Sequence, residues 1–254
     1  MTLLGPSDPS PVLCFNRLGN SRFVFVSEHA GNRVPGKLQD LGMSKLDLAD
    51  HIAWDMHIQD VGKRLSALLD APYFCQAYSR LVIDCNRPPG AAQSILEVSD
   101  NRRVPGNEGL SAADVIARQD EIFHPFHRAI ADLLDERFAR RQNTILITLH
   151  SFTPAMESGG DDRPWQITFQ YGRCPDLSKS LIENMARDKD VIVGDNVPYP
   201  VADDTHYGIP VHGEKRGLPH TMIELRQDCI ADEAGRILWT QKIASQLGEI
   251  LEKV

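Results

Sequence analysis

The chain has 254 residues, enough to bury one large core, and its formal net charge of −8 argues against a polyanion-binding surface. With 42% hydrophobic and 24% charged residues, its composition is that of a folded domain rather than a disordered segment. There is no apolar run near the roughly 18 residues of a membrane span, no basic run interleaved with aromatics of the kind that binds nucleic acid, and no basic-then-apolar secretory pattern in residues 1–11. The five cysteines (Cys14, Cys75, Cys85, Cys174, Cys229) form no CxxC pair, so a reducing, cytoplasmic setting is expected rather than a disulfide framework.

In chain order, Phe23-Val24-Phe25-Val26-Ser27 reads as a buried strand that delivers Glu28 and His29 to its end, with Gly31 just beyond. Residues 55–69 place Ile58, Val61, Leu65, Leu68 and Leu69 at helical spacing. Ser79 to Asp84 reads as a second strand, stopped by Asn86-Arg87-Pro88-Pro89-Gly90. Residues 90–110 are rich in Gly, Pro and Asn, and read equally as a lid over a site or a plain surface loop. Ser111 and Asp114 form an acidic variant of a capping box that opens a helix to about Arg141, which Pro125 should kink or split.

Ile145 to Leu149 is a strand that brings His150 to its end, and a Gly/Asp-rich loop follows at 158–163. Residues 165–171 read as a strand, 176–185 as a helix and 191–193 as a short strand. Residues 194–219 are too irregular for an element, and loops of that length are usually functional or disordered. A strand through Thr221-Met222-Ile223 then presents Glu224, and a helix over 232–252 closes the chain. Alternating strands and helices predict an α/β fold with a sheet covered on both faces, in a single domain across 1–254.

In such sheets ligands bind beyond the carboxyl ends of the strands, where His29, His150 and Glu224 fall. A hydrolytic metal site needs about three His, Asp or Glu ligands, an open position for water, and a carboxylate to take that water's proton. His29 and His150 are the expected ligands and Glu224 the expected general base. A lone histidine at a strand end is more often a hydrogen-bonded structural residue; the three together change the odds.

Leu149-His150-Ser151-Phe152 and Ile223-Glu224-Leu225-Arg226 resemble the segments that carry the last zinc ligand and the catalytic glutamate of zinc carboxypeptidases, and Asn86-Arg87 resembles their carboxylate-binding pair. A closer resemblance covers nearly the whole chain. Ser27-Glu28-His29-Ala30-Gly31-Asn32, Ser79 to Arg87, Asn196-Val197-Pro198-Tyr199, Arg216 to His220 and Ile223 to Asp228 resemble the N-formylglutamate amidohydrolase family. The resemblance implies a three-layer α/β/α fold with a mixed central sheet, like that of zinc carboxypeptidases. It also implies a Zn2+-dependent hydrolase that cleaves the amide of a small anionic N-acyl amino acid such as N-formylglutamate.

The pattern departs from the carboxypeptidase His-x-x-Glu at Asn32, a poor zinc ligand, which leaves Asp55 or Glu28 as the third ligand, with Asp55 favoured. Asp55 reads equally well as a helix cap. Asn86 and Arg87 are expected to clamp the substrate carboxylate, with Arg87 also counted beside Glu224 in the catalytic pair. Arg80, Tyr207 and Arg216 complete the expected substrate-binding set, although Arg80 also reads as the ion-pair partner of Asp84. His212 comes from the same loop as Tyr207 and Arg216 and can close over substrate, whereas histidines 51, 57, 206 and 220 read as solvent or loop residues. Other readings stand beside this one: a metal-dependent carboxypeptidase acting on a small peptide, or a metal- or ligand-binding protein without turnover. A shared fold does not decide among them.

Overall fold

The structure, a computed structural model, describes residues 2–160 and 162–251. Strands β1 (Val12–Phe15) and β2 (Phe23–Ser27) lead to helices α1 (Lys45–Ala49) and α2 (Ile58–Leu68), then β3 (Tyr73–Gln76). A small ribbon of β4 (Val98–Ser99) and β5 (Arg102–Arg103) precedes α3 (Ala112–Arg118), a wide turn at Gln119–Phe123 and α4 (His124–Ala139). The chain continues through β6 (Ile145–Phe152), β7 (Ile167–Gln170), α5 (Asp176–Met185), β8 (Val193–Asp195), β9 (His220–Arg226) and α6 (Glu233–Leu251).

Seven strands form one sheet in the order β1-β3-β2-β6-β9-β7-β8. The β3-β2-β6-β9 centre is parallel, β1 and β7 join it antiparallel, and β8 runs parallel to β7, so the sheet is mixed, as expected. Strand alternation sends successive residues to opposite faces. On one face Phe23, Phe25, Ile145, Ile147, Leu149, Ile223 and Leu225 pack with residues of α2, α5 and α6. On the other, Val24, Val26, Phe74 and Leu146 pack with Phe123, Phe126, Ile130 and Leu134 of the α3–α4 layer. Each of these side chains gains about 1.5–3 kcal/mol by burial, and helices on both faces make the three layers. Among the described residues no helix is long and apolar enough to cross a membrane.

The capping box forms at α3: Ser111 Oγ accepts the Asp114 N–H, and Asp114 accepts the Ser111 N–H in return. Pro125 splits the predicted long helix. It follows directly on a wide helical turn at Gln119–Phe123 that joins α3 to α4 with the backbone helical throughout, so the regular hydrogen-bond ladder is interrupted just where proline has no amide to donate.

The predicted strand at Ser79–Asp84 is not one. The Val82 N–H donates to the Ser79 carbonyl and the Leu81 N–H to Ser79 Oγ, which makes a turn, and the parallel strand lies upstream at β3. Leu81, Val82 and Ile83 are buried because they pack under the α3–α4 layer, so burial without alternation gave a strand-like run. β6 and β9 outrun their predicted ends, so His150 and Glu224 lie inside strands. Glu252, the predicted end of the last helix, and Asp161 of the 158–163 loop lie outside the described residues.

Candidate active site

Residues with even numbers on β2 and β6 face the α3–α4 layer, as Val24, Val26 and Leu146 show. Continuing that alternation past the apolar cover brings Glu28 and His150 to the same side, at the carboxyl ends of the strands. Parallel pairing sets Glu224 directly across from His150. Gly31 lets the chain turn sharply after β2: a Cβ there would lie 2.1 Å from the Ala77 carbonyl oxygen. The His29 carbonyl in this turn accepts the Asp55 N–H at 2.8 Å, which brings the segment before α2 beneath β6.

His29, Asp55 and His150 are all buried, and one ligand atom from each lies within 4.8 Å of the others. His150 Nδ1 is 2.9 Å and His29 Nδ1 3.6 Å from Oδ2 of Asp55. The far side of each ring also meets a carboxylate. His29 Nε2–H donates to Asp84 Oδ1 at 2.6 Å, and His150 Nε2 lies 3.1 Å from Glu28 Oε2, off the alignment of a hydrogen bond. Carboxylates behind histidines, fixing ring orientation and tautomer, are the usual outer shell of a metal centre. Arg80 donates to Asp84 Oδ2 at 2.7 Å and stands 3.8 Å from Asp55 Oδ1.

Three buried carboxylates, Glu28, Asp55 and Asp84, and the half-buried Glu224 beside them govern the titration. Burial alone would push the His150 imidazolium down, but its hydrogen bond to Asp55 and the close negative charges of Glu28 and Asp55 lift it to about 10. Burial raises Asp55 and Asp84, but His29 and His150 hold Asp55 well below the usual carboxylate range, and Arg80 and His29 do the same for Asp84. Glu224 differs. Burial raises it, His150 only partly compensates, and the nearby Asp55 adds repulsion, so it stays above the ordinary range.

A cavity of about 170 Å³ opens over this group, and His29, Asp55, Arg80, Asn86, Arg87, His150 and Glu224 line it. The structure therefore gathers both predicted histidines, the favoured Asp55, the predicted base and the Asn-Arg pair. Asn32 lies elsewhere and donates to the Leu48 carbonyl, while Glu28 stands behind His150 with neither oxygen hydrogen-bonded. Asp55 caps no helix, since His57 precedes α2 and makes no side-chain cap.

Three members of the predicted loop set fall outside the cavity. The Tyr207 ring packs against Phe123 and His127, and only its backbone serves the site, donating to Asn86 Oδ1 at 3.1 Å. Arg216 reaches the opposite way to pair with Asp135. His212 is buried against His127, 3.0 Å away, and does not reach the cavity. Conversely, His51, His206 and Arg163 line it. His206 and His51 had no apolar strand before them to mark them, and Arg163 sits in a Gly/Asp-rich loop, so local pattern carried no signal for any of the three.

The family model of N-formylglutamate amidohydrolase matches residues 21–231. The fold is similar to that of gene product Atu2144 from Agrobacterium tumefaciens, at 29% identity and a TM-score of 0.94, over 99% of this chain and 98% of that one. It is also similar to the N-formylglutamate amidohydrolase from Ralstonia eutropha JMP134, at 17% identity and a TM-score of 0.69, over 97% and 98% of the two chains. No curated protein sequence matches the chain. The matched span contains every residue of the buried His-Asp-His group, the Asn-Arg pair and Glu224; the chain belongs to the N-formylglutamate amidohydrolase family, whose members hydrolyse carbon–nitrogen bonds other than peptide bonds.

Proposed function

We propose that the chain, acting as one domain over residues 1–254, is a zinc-dependent amidohydrolase that cleaves the acyl amide of an N-acyl amino acid resembling N-formylglutamate. The observation that carries this reading is the pairing of both histidines: each turns Nδ1 toward Asp55 and Nε2 toward a second carboxylate. Two imidazole nitrogens and one carboxylate oxygen form a donor set suited to zinc with a coordination position left open. The surplus of buried carboxylates fits a cation as well. The same surplus lifts His150 to about 10, and Glu28 keeps two buried oxygens without hydrogen bonds.

When bound, zinc polarises the acyl carbonyl and acidifies water. The remaining work belongs to the protein. Glu224, held above the usual carboxylate range by burial, takes the proton of the attacking water and returns it to the leaving amine. Asn86 and Arg87 hold the α-carboxylate of the amino acid, so the amide lies over the His-Asp-His group. Arg80 stands between Asp84 and Asp55 and keeps Asp84 ionised behind His29. The five cysteines are all free thiols, which supports a cytoplasmic setting.

The test is hydrolysis of N-formylglutamate and related N-acyl amino acids by the wild-type protein and Glu224→Gln. The glutamine variant should keep ligand affinity and lose turnover by at least about 10²-fold. Equal rates in both proteins would remove Glu224 from the chemistry.

A further inference from the structure

Residues 205–208 are sewn to the Asn86–Arg87 pair. Arg87 donates to the Thr205 carbonyl, and the N–H groups of Tyr207 and Gly208 both donate to Asn86 Oδ1 at 3.1 Å. Because two N–H donors occupy that oxygen, the Asn86 amide is fixed with Nδ2 as its free end, a donor with no partner among the described residues. His206 sits in the middle of this joined segment, buried, and lines the same cavity.

The hydrogen bonds of His206 settle its tautomer. Its Nδ1 receives the Ala202 N–H at 3.4 Å and lies 3.0 Å from Thr205 Oγ1. A backbone N–H can only donate, so Nδ1 is the bare nitrogen and the ring proton is on Nε2. Burial, helped by the charge of Arg87, pushes His206 down to about 4, so near neutral pH the ring stays uncharged with Nε2–H as its donor. That donor has no partner among the described residues.

We infer that His206 is a substrate-binding residue whose Nε2–H joins the Asn86 amide and the Arg87 guanidinium in holding the substrate carboxylate. The inference rests on the amidohydrolase reading for the identity of the ligand, but its geometry is independent of turnover. A neutral donor suits this place. It adds a hydrogen bond to the anion without adding charge beside His150 and the buried carboxylates, and it remains a donor across the neutral range. The joined segment also explains the fixed spacing: Arg87, Asn86 and His206 are held by the same three backbone groups, so they bind as one rigid unit.

The test compares His206→Asn with His206→Gln. Asparagine keeps an acceptor where Nδ1 accepts and removes the Nε2–H, whereas glutamine extends an N–H to the Nε2 position. Calorimetric binding of N-formylglutamate to the zinc-loaded Glu224→Gln background, where turnover is slow, is measured for each, beside the analogue whose α-carboxylate is a carboxamide. His206→Asn should weaken the carboxylate ligand roughly 10- to 100-fold, change the carboxamide little, and recover most of the loss in His206→Gln. Melting temperatures confirm that both variants fold.

In otherwise wild-type protein the loss should appear in KM with kcat nearly unchanged. Equal weakening of both ligands, or a fall in kcat at constant KM, would overturn the assignment. Normal binding by His206→Asn would overturn it as well and leave the amidohydrolase reading intact. Binding of the carboxylate ligand that depends on His206, in a wild-type protein with no hydrolysis, would instead remove the amidohydrolase reading and keep the assignment.

Discussion

Asp84→Asn probes how the outer carboxylates support the centre. Asp84 accepts from three groups: His29 Nε2–H at 2.6 Å, Arg80 at 2.7 Å and the Asn86 N–H at 2.8 Å. Asparagine has nearly the same volume, and its oxygen can still accept from His29 and the Asn86 amide, so packing is kept and the loss falls on the Arg80 side. There an NH2 group would face a guanidinium, leaving Arg80 only Asp55 at 3.8 Å. Breaking one partner of a fully buried ion pair costs about 3–5 kcal/mol; with Arg80 a quarter exposed at the cavity wall, we expect urea unfolding to show a loss of about 1–3 kcal/mol.

The same change weakens the charge that orients and enriches the His29 ring, and loss of such an outer partner lowers metal affinity by about 10- to 100-fold. A zinc competition titration reads this directly. Stability within about 0.5 kcal/mol of wild type, together with unchanged zinc affinity, would refute the reasoning that Asp84 is what holds His29 and Arg80 in place.

Arg87→Ala should raise KM for carboxylate-bearing substrates by about 2–5 kcal/mol of binding, with zinc content unchanged; an unaltered KM in steady-state kinetics would remove Arg87 from the clamp. Gly31→Ala places a methyl 2.1 Å from the Ala77 carbonyl oxygen, a backbone atom that cannot rotate away, so a loss at or above the upper end of about 1–3 kcal/mol is expected by thermal unfolding. His127, buried against Phe123 and the Cys85 carbonyl, gives a pH dependence of its own. Burial pushes it from 6.5 down to about 4, so the unfolded chain binds the proton first. The folded state is therefore favoured above about 6.5 and loses that contribution as pH falls toward 4, at about 1.4 kcal/mol per unit. Urea unfolding of His127→Gln between pH 7 and 4.5 should show a flatter decline than wild type; parallel curves would mean the imidazole does not contribute.

The central architecture is legible because its signals are local. β2, β6 and β9 are apolar runs of the right length, and each is followed on the correct face by a residue whose chemistry stands out against its neighbours. The capping box at Ser111 and the proline at 125 are equally local, and both take effect as expected. Ser79–Asp84 misleads for a physical reason: a buried turn and a buried strand have the same hydrophobicity, and only hydrogen bonding separates them. β1 and β3 escape notice as four-residue strands without a distinctive flank.

The site divides along the same line. Residues fixed by strand register, His150 and Glu224, are readable, as is the Asn86-Arg87 pair in its distinctive segment. Those placed by the long irregular segment are not. Tyr207, His206 and Arg216 are near neighbours in sequence, yet one packs into the core, one faces the cavity and one pairs with Asp135 outside it. No spacing rule distinguishes them, because the bonds that orient the segment are to residues distant in sequence: 205–208 to Asn86 and Arg87, and Arg216 to Asp135. Asp55 lies between. Its position follows from the His29 carbonyl bond that draws it under β6, a contact across 26 residues that composition does not reveal.

The most direct test of the account is zinc content, measured by mass spectrometry on protein purified without chelator, for the wild type beside His29→Ala/His150→Ala. Near-stoichiometric zinc in the wild type and almost none in the double variant is the expected result, with both proteins folded. Equal zinc in the two, or none in the wild type even after zinc is added, would contradict the metal centre on which the proposed chemistry stands.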